Sequence, residues 1–111
     1  MKLNGKVACV TGSVRGLGWE IVQAYALEGA KVVVCDLHQT DVDRALELLS
    51  LPVERVLGVR ADVTGEEDVR SLFRSIKGKF DALDILVNNA GFAWPREGPI
   101  DLEVADTPFQ V

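Results

Sequence analysis

Between Thr11 and Gly18 the chain reads TGSVRGLG, with glycines at 12, 16 and 18 and an arginine at 15. Glycine weakens strands and helices alike, so this density implies a local requirement. An apolar run, KVACV, precedes the stretch, and a helix-like run, WEIVQAYALEGA, follows it. A glycine turn that leaves a strand and opens a helix brings backbone close to an anionic group. The first N–H groups of the helix then point at the negative charge. The hydroxyls of Thr11 and Ser13 can add to that array, and Gly18 permits close approach of the helix to a ligand or to the strand. Gly12, Ser13, Arg15, Gly16, Leu17 and Gly18 are therefore candidates for holding a phosphate-bearing molecule.

Asp36 closes the next β-branched run, KVVVC, and Leu37 follows it. A carboxylate at a strand tip beyond a glycine turn is placed to accept from the 2′- and 3′-hydroxyls of an adenine ribose, and it repels a 2′-phosphate. These residues favour NAD over NADP as the cofactor. Arg15 pulls the other way, because a guanidinium suits bidentate phosphate recognition. It could equally face solvent or pair with Asp36. The strand-end place of Asp36 is better fixed than that of a loop arginine, so Asp36 carries the greater weight.

The elements that must position these groups are legible in the periodicity. Lys6 to Val10 reads as a strand. Leu17, Ile21, Ala24, Tyr25 and Glu28 then mark a helical face that Gly29 ends. Lys31 to Cys35 is a second strand of the kind buried in parallel sheets. Asp41 to Ser50, with Val42, Ala45, Leu46 and Leu49, predicts a second helix stopped near Pro52. Arg55 to Val59 is a third strand, interrupted in pattern by Gly58. Thr64 to Glu67 reads as a capping box opening a helix with Val69, Leu72, Phe73, Ile76 and Phe80 on one side. Asp84 to Val87 is the fourth strand and runs into Asn88-Asn89-Ala90-Gly91. The order β-α-β-α-β-α-β predicts an α/β fold, a doubly wound parallel sheet of Rossmann type present in part. Phe92 to Asp106 reads as a loop, and Thr107 and Pro108 as the start of another helix.

Three motifs in this order resemble the short-chain dehydrogenase/reductase family, over essentially all of the chain to about Gly91. Thr11 to Gly18 meets the family's T-G-x-x-x-G-[IL]-G, and Asn88 to Gly91 meets its N-N-A-G. Asp62 and Val63 match the Asp-Val pair that follows the third strand and contacts the adenine ring in family members. The resemblance implies strand order 3-2-1-4. It implies that Asn89 hydrogen-bonds across the central strands, and that Ala90 and Gly91 leave room beside the nicotinamide-side ribose. It also implies hydride transfer between nicotinamide and a carbonyl or alcohol, worked by a Tyr, a Lys four residues later, a Ser and an Asn. None of these four falls on a matching position. The sole tyrosine, Tyr25, lies in the first helix without a Tyr-x-x-x-Lys pattern. No catalytic residue is therefore assigned, and the chain reads as the cofactor-binding half of the enzyme. The alternative is an inactive truncated, nucleotide-sensing or scaffold domain that only binds NAD.

One domain at most fits into 111 residues, and 48% hydrophobic content suffices for a core. A net charge of −5 gives no support to a nucleic-acid or anionic-membrane partner and leaves room for an anionic small molecule; a small-molecule substrate is what the resemblance implies. Cys9 and Cys35 lie in apolar runs and read as buried thiols of a reducing compartment. Together with His38, which stands alone, they have no metal-site spacing. The N-terminus lacks the length of a signal peptide, and no stretch approaches a membrane span, so a cytoplasmic protein is expected. The resemblance further implies a homo-oligomer at full length.

Overall fold

A computed structural model describes residues 1–89 of the chain. Its elements run β1 (Val7–Thr11), α1 (Gly16–Leu27), β2 (Lys31–Asp36), α2 (Gln39–Leu49), a single 3-10 turn (Val53–Arg55), β3 (Val56–Arg60), α3 (Glu66–Phe80) and β4 (Ile85–Val87). All pairings are parallel and the strand order is β3-β2-β1-β4. This is the partial Rossmann sheet that the alternation of elements implies. The helix expected from Thr107 and the loop containing Phe92 and Trp94 lie outside the described residues.

β2 explains why the sheet must be covered on both faces. Val32, Val33, Val34 and Cys35 are all fully buried. Because successive strand residues point to opposite faces, they feed two separate cores. Val32 and Val34 join Ala8, Val10, Val22, Val42 and Ala45 beneath α1 and α2. Val33 and Cys35 join Val7, Cys9, Ala61, Leu72 and Ile76 beneath α3. Each fully buried valine contributes about 1.5–3 kcal/mol relative to exposure, so the two packed faces dominate the stability of the described fold.

Gly58 lies inside β3 for a packing reason. A Cβ there would stand 2.7 Å from Leu46 Cδ1 and 2.8 Å from Val42 Cγ1, so its absence is what lets α2 lie close on the sheet. Arg55, expected within the strand, belongs instead to the 3-10 turn. Its Nη2 donates at 2.8 Å to the carbonyl of Ala26, in the last turn of α1, and at 2.8 Å to that of Ala30, just before β2, and so ties the two together. At β4, the Asp84 carboxylate accepts the Val7 N–H at 2.8 Å while the Asp84 N–H donates to the Val7 carbonyl at 2.8 Å. That paired contact sets the register of β4 on β1.

Two expectations require correction. The face of α1 that meets the sheet is carried by Gly18 and Val22, with Trp19, Ile21, Tyr25 and Ala26 packed beside them. Leu17 (65% exposed) and Ala24 turn outward. The close seating of Gly18 against Gly12 and Asn89 sets this rotation of the helix. At α3 the capping residue is Gly65, not Thr64, and no side chain caps from that position.

Candidate cofactor-binding site

The carboxyl ends of all four strands face one side of the sheet, where the glycine turn, Asp36, Asp62 and Asn89 converge. They border a cleft of about 500 Å³, within the range of small-molecule sites. Gly12, Arg15 and Leu17 line it from the first turn, Asp36 and Leu37 from the end of β2, Asp62 and Val63 from the end of β3, and Asn89 from the end of β4. Cys35 and Thr64 also line it, although sequence reasoning did not place them there. Cys35 immediately precedes Asp36, and Thr64 is two residues beyond Asp62, so proximity in sequence to the named residues was the available signal. Ala90 and Gly91 lie outside the described residues.

The glycine turn is shaped by its own constraints. Gly12 and Gly16 adopt φ of 63° and 58°, in the left-handed region. A Cβ on Gly18 would overlap the Gly12 carbonyl oxygen and Asn89 Nδ2, so the third glycine seats the helix against the turn rather than clearing space for a ligand. Gly18 and Ser13 do not line the cleft; they lie buried behind it. Ser13 Oγ accepts the Cys35 N–H at 3.0 Å and lies 3.4 Å from the Cys35 carbonyl, and the Ser13 N–H donates to the same carbonyl at 3.2 Å. The Ser13 hydroxyl therefore ties the turn to β2. Gly16 is exposed at the start of α1, with open space where a Cβ would stand.

Asn89 spans the central strands as expected. Its Nδ2 donates to the Gly12 carbonyl at 3.3 Å, and its N–H donates to Thr11 Oγ1 at 2.9 Å. Thr11 is itself buried, with its hydroxyl 3.3 Å from Asn88 Oδ1. The ends of β1 and β4 are thus bonded side by side. β1 leads out to β2 on one side, while β4 lies on the other side of β1, and doubly wound sheets open a crevice for ligands where the strand order switches in this way.

The electrostatics divide the cleft. α1 has no side-chain cap and no acidic residue in its first turn, so its N-terminal N–H groups keep their positive potential. Asp36 faces it from β2; Oδ1 accepts the Leu37 N–H at 2.7 Å. Arg15 does not pair with Asp36: its Nη2 donates to Asp41 Oδ2 at 2.8 Å. On the β3 side, Asp62 Oδ1 accepts both the N–H and the hydroxyl of Thr64. These bonds hold the Asp62 carboxyl below the usual carboxylate range, the hydroxyl having the larger effect. Asp68 Oδ2 accepts the Asp62 N–H at 2.8 Å and pairs with Arg60 Nη1 at 2.8 Å. Arg60 Nε in turn donates to the Leu37 carbonyl at 3.0 Å. The walls formed by Leu37 and Asp62 are thereby braced to each other through one arginine and one aspartate.

Other groups do not converge on this chemistry. Burial pushes the Cys35 thiol up to about 12 and the Cys9 thiol further, so neither is a thiolate at neutral pH. A second hollow, of about 410 Å³, runs along α3 past Phe73, Ile76 and Leu83, with Arg70, Arg74 and Lys77 at its rim. It is apolar, reaches the chain that leads into β4, and shares no lining residue with the cleft at the carboxyl ends of the strands. Among the described residues no group of His, Cys, Asp and Glu is placed to hold a metal ion, and no helix is long and apolar enough to cross a membrane.

A strand–glycine turn–helix facing a strand-end aspartate, with an asparagine bridging β1 and β4, is the architecture of the nucleotide-binding Rossmann class. The short chain dehydrogenase family profile matches residues 6–108, and the chain belongs to that family. It is similar to the short chain dehydrogenase/reductase dpchG of Colletotrichum higginsianum, 37% identical over 111 residues, which cover 98% of this chain and 41% of that protein. Among solved structures, it resembles a Brucella melitensis short-chain dehydrogenase/reductase described as a glucose/ribitol dehydrogenase. The TM-score is 0.79 at 26% identity, over 85% of this chain and 39% of the other. A 3-ketoacyl-(acyl-carrier-protein) reductase from the same organism, complexed with NADH, matches with TM-score 0.69 at 34% identity, over 75% of this chain and 33% of the other. The chain thus spans about two fifths of the length of the first of these relatives.

Proposed function

We propose that this chain is the cofactor-binding half of an NAD-dependent short-chain dehydrogenase/reductase that moves a hydride between nicotinamide and a carbonyl or alcohol substrate. The observation that carries this reading is the pairing of two opposed groups across one cleft. The uncapped, acid-free N-terminus of α1 lies on one side and the Asp36 carboxylate on the other. The first attracts a pyrophosphate and the second accepts from a ribose diol.

In this reading Gly12, Gly16 and Leu17 present backbone to the pyrophosphate, and Gly18 and Ser13 hold that backbone in place from behind. Leu37, Asp62 and Val63 flank the adenine, braced by Arg60 and Asp68. Asn89, with Ala90 and Gly91, borders the nicotinamide-side ribose. The nicotinamide supplies the hydride chemistry when bound. Asp36 sets the preference for NAD because a 2′-phosphate would meet its negative charge. The NADH complex of the 34%-identical Brucella reductase supports the same class of ligand. The substrate is a small molecule, the acidic balance of the chain disfavours nucleic acid, and the whole protein is a cytoplasmic homo-oligomer.

A second reading, NAD binding without catalysis, draws on the same cleft residues. Tyr25, on α1, packs against the core and is not among the residues that line the cleft. Calorimetric titration with NAD tests the shared part of both readings. Asp36→Ala is expected to weaken NAD about 10- to 100-fold, the cost of removing charge-assisted hydrogen bonds. An unchanged affinity would remove Asp36 from the site. Hydride transfer by the whole protein, followed as NADH absorbance with carbonyl and alcohol panels, separates the enzyme from the binding domain.

A further inference from the structure

Arg15 borders two adjoining hollows. One is the cleft it shares with Asp36 and Leu37, and the other is a smaller hollow of about 230 Å³ between α1 and α2, shared with Trp19, Asp41 and Arg44. Its guanidinium is bonded toward the second, at 2.8 Å from Asp41 Oδ2. Resting on the NAD reading above, we propose that Asp41 is a specificity-determining positioning residue: it holds Arg15 against α2 and so withholds a phosphate-binding cation from the ribose end of the cleft.

The two partners are unequal, which makes Asp41 the anchor. Asp41 is in the first turn of α2, where the helix potential favours a carboxylate independently of Arg15. Arg15 precedes α1, is 72% exposed along its side chain, and is otherwise free to swing toward Asp36. A guanidinium there offers a 2′-phosphate the forked donors it binds best. Asp36 alone repels a 2′-phosphate; Asp41 adds to that discrimination by removing the one cation on the first turn that would offset it. An exposed ion pair is worth at most about 1 kcal/mol, so the contribution of the latch is about three- to fivefold, smaller than that of Asp36.

The test compares ADP with 2′,5′-ADP by calorimetry at low ionic strength, on the full chain and on Asp41→Asn, Asp41→Glu, Arg15→Ala and the Arg15→Ala/Asp41→Asn double variant. Asp41→Asn is expected to tighten 2′,5′-ADP about three- to fivefold relative to ADP. Asp41→Glu, which keeps a carboxylate within reach, returns the ratio toward wild type, and the double variant abolishes the gain. A ratio unmoved by Asp41→Asn overturns the proposal. So does a gain that persists without Arg15, which would assign it to the lost negative charge alone. If the unaltered chain binds neither probe at millimolar concentration, the nucleotide reading itself fails, and the latch with it. If it binds ADP but the ratio stays fixed, only the latch fails.

Discussion

The turns that lead from β1 into α1 and from β3 into α3 face the same cleft and carry opposite chemistry. The first holds three glycines and no carboxylate, and its buried hydroxyls, Thr11 and Ser13, are bonded back to β4 and β2. The second closes on itself. Asp62 binds Thr64, Asp68 binds Asp62, and α3 begins with Glu66, Glu67 and Asp68. A helix start supplied with its own acids has its potential neutralised from within, whereas one stripped of them leaves that potential to an anion from solution. Both turns thus line one cleft, but only the β1–α1 turn is built to attract charge; the β3–α3 turn is a rigid wall.

Perturbing the first turn is expected to have the largest effect. Gly18→Ala places a methyl into the Gly12 carbonyl and Asn89 Nδ2, so despite the helical gain of about 1 kcal/mol over glycine it is expected to destabilise by about 1–3 kcal/mol. Urea unfolding measures this, and a midpoint at or above wild type would show that the close seating of α1 is not required. NAD affinity should fall with it, because the same displacement moves the turn.

Asp68→Ala attacks the second turn and is expected to cost about 1–2 kcal/mol, from loss of the carboxylate that caps the Asp62 N–H and holds Arg60. Nucleotide affinity should fall only modestly, since the variant loosens a wall and leaves the anion-binding turn intact. A loss of affinity as large as that of Asp36→Ala would break the distinction between the two turns.

The smallest effect concerns pH. The Asp62 carboxyl titrates below its ordinary range in the folded chain, so its bonds to Thr64 stabilise the fold above the unfolded carboxylate pKa of about 3.9. That contribution is lost as pH falls through the depressed folded value. Thr64→Val removes the hydroxyl that lowers it most. The Asp62 titration, followed by carboxyl NMR shifts, should then move upward toward the ordinary value, with the acid limb of stability flattening slightly. An unmoved titration would assign the depression to the backbone N–H of residue 64, which the variant keeps, and to Arg60.

How much of this could be read in advance depends on the range of the interaction. Each of the four strands lies within about a residue of where its apolar run predicts it, and α2 and α3 bury Val42, Ala45, Leu72 and Ile76 as their spacing implies. The capping box at Thr64 matched in sequence and failed in structure, because Asp62, two residues earlier, competes for the same hydroxyl. On α1, Leu17 turns outward although its spacing with Ile21 and Tyr25 points it to the sheet, because the seating of Gly18 against Gly12 and Asn89 sets the rotation of the helix. For the site, the glycine spacing, Asp36, Asp62 and Asn89 marked the residues that meet at the cleft, while Cys35 and Thr64 came with them unannounced.

By itself the sequence determined what short-range physics controls: the alternation of strand and helix, the glycine turn, the lack of acids at the start of α1, and the aspartate that ends β2. Only the tertiary structure decided which partner each polar side chain takes. Arg15 finds Asp41 26 residues away, Ser13 finds Cys35 22 residues away, and Asn89 finds Gly12 77 residues away. Periodicity carries no record of such pairs, because hydrogen bonds and ion pairs act over a few ångströms and form only after packing brings distant segments together.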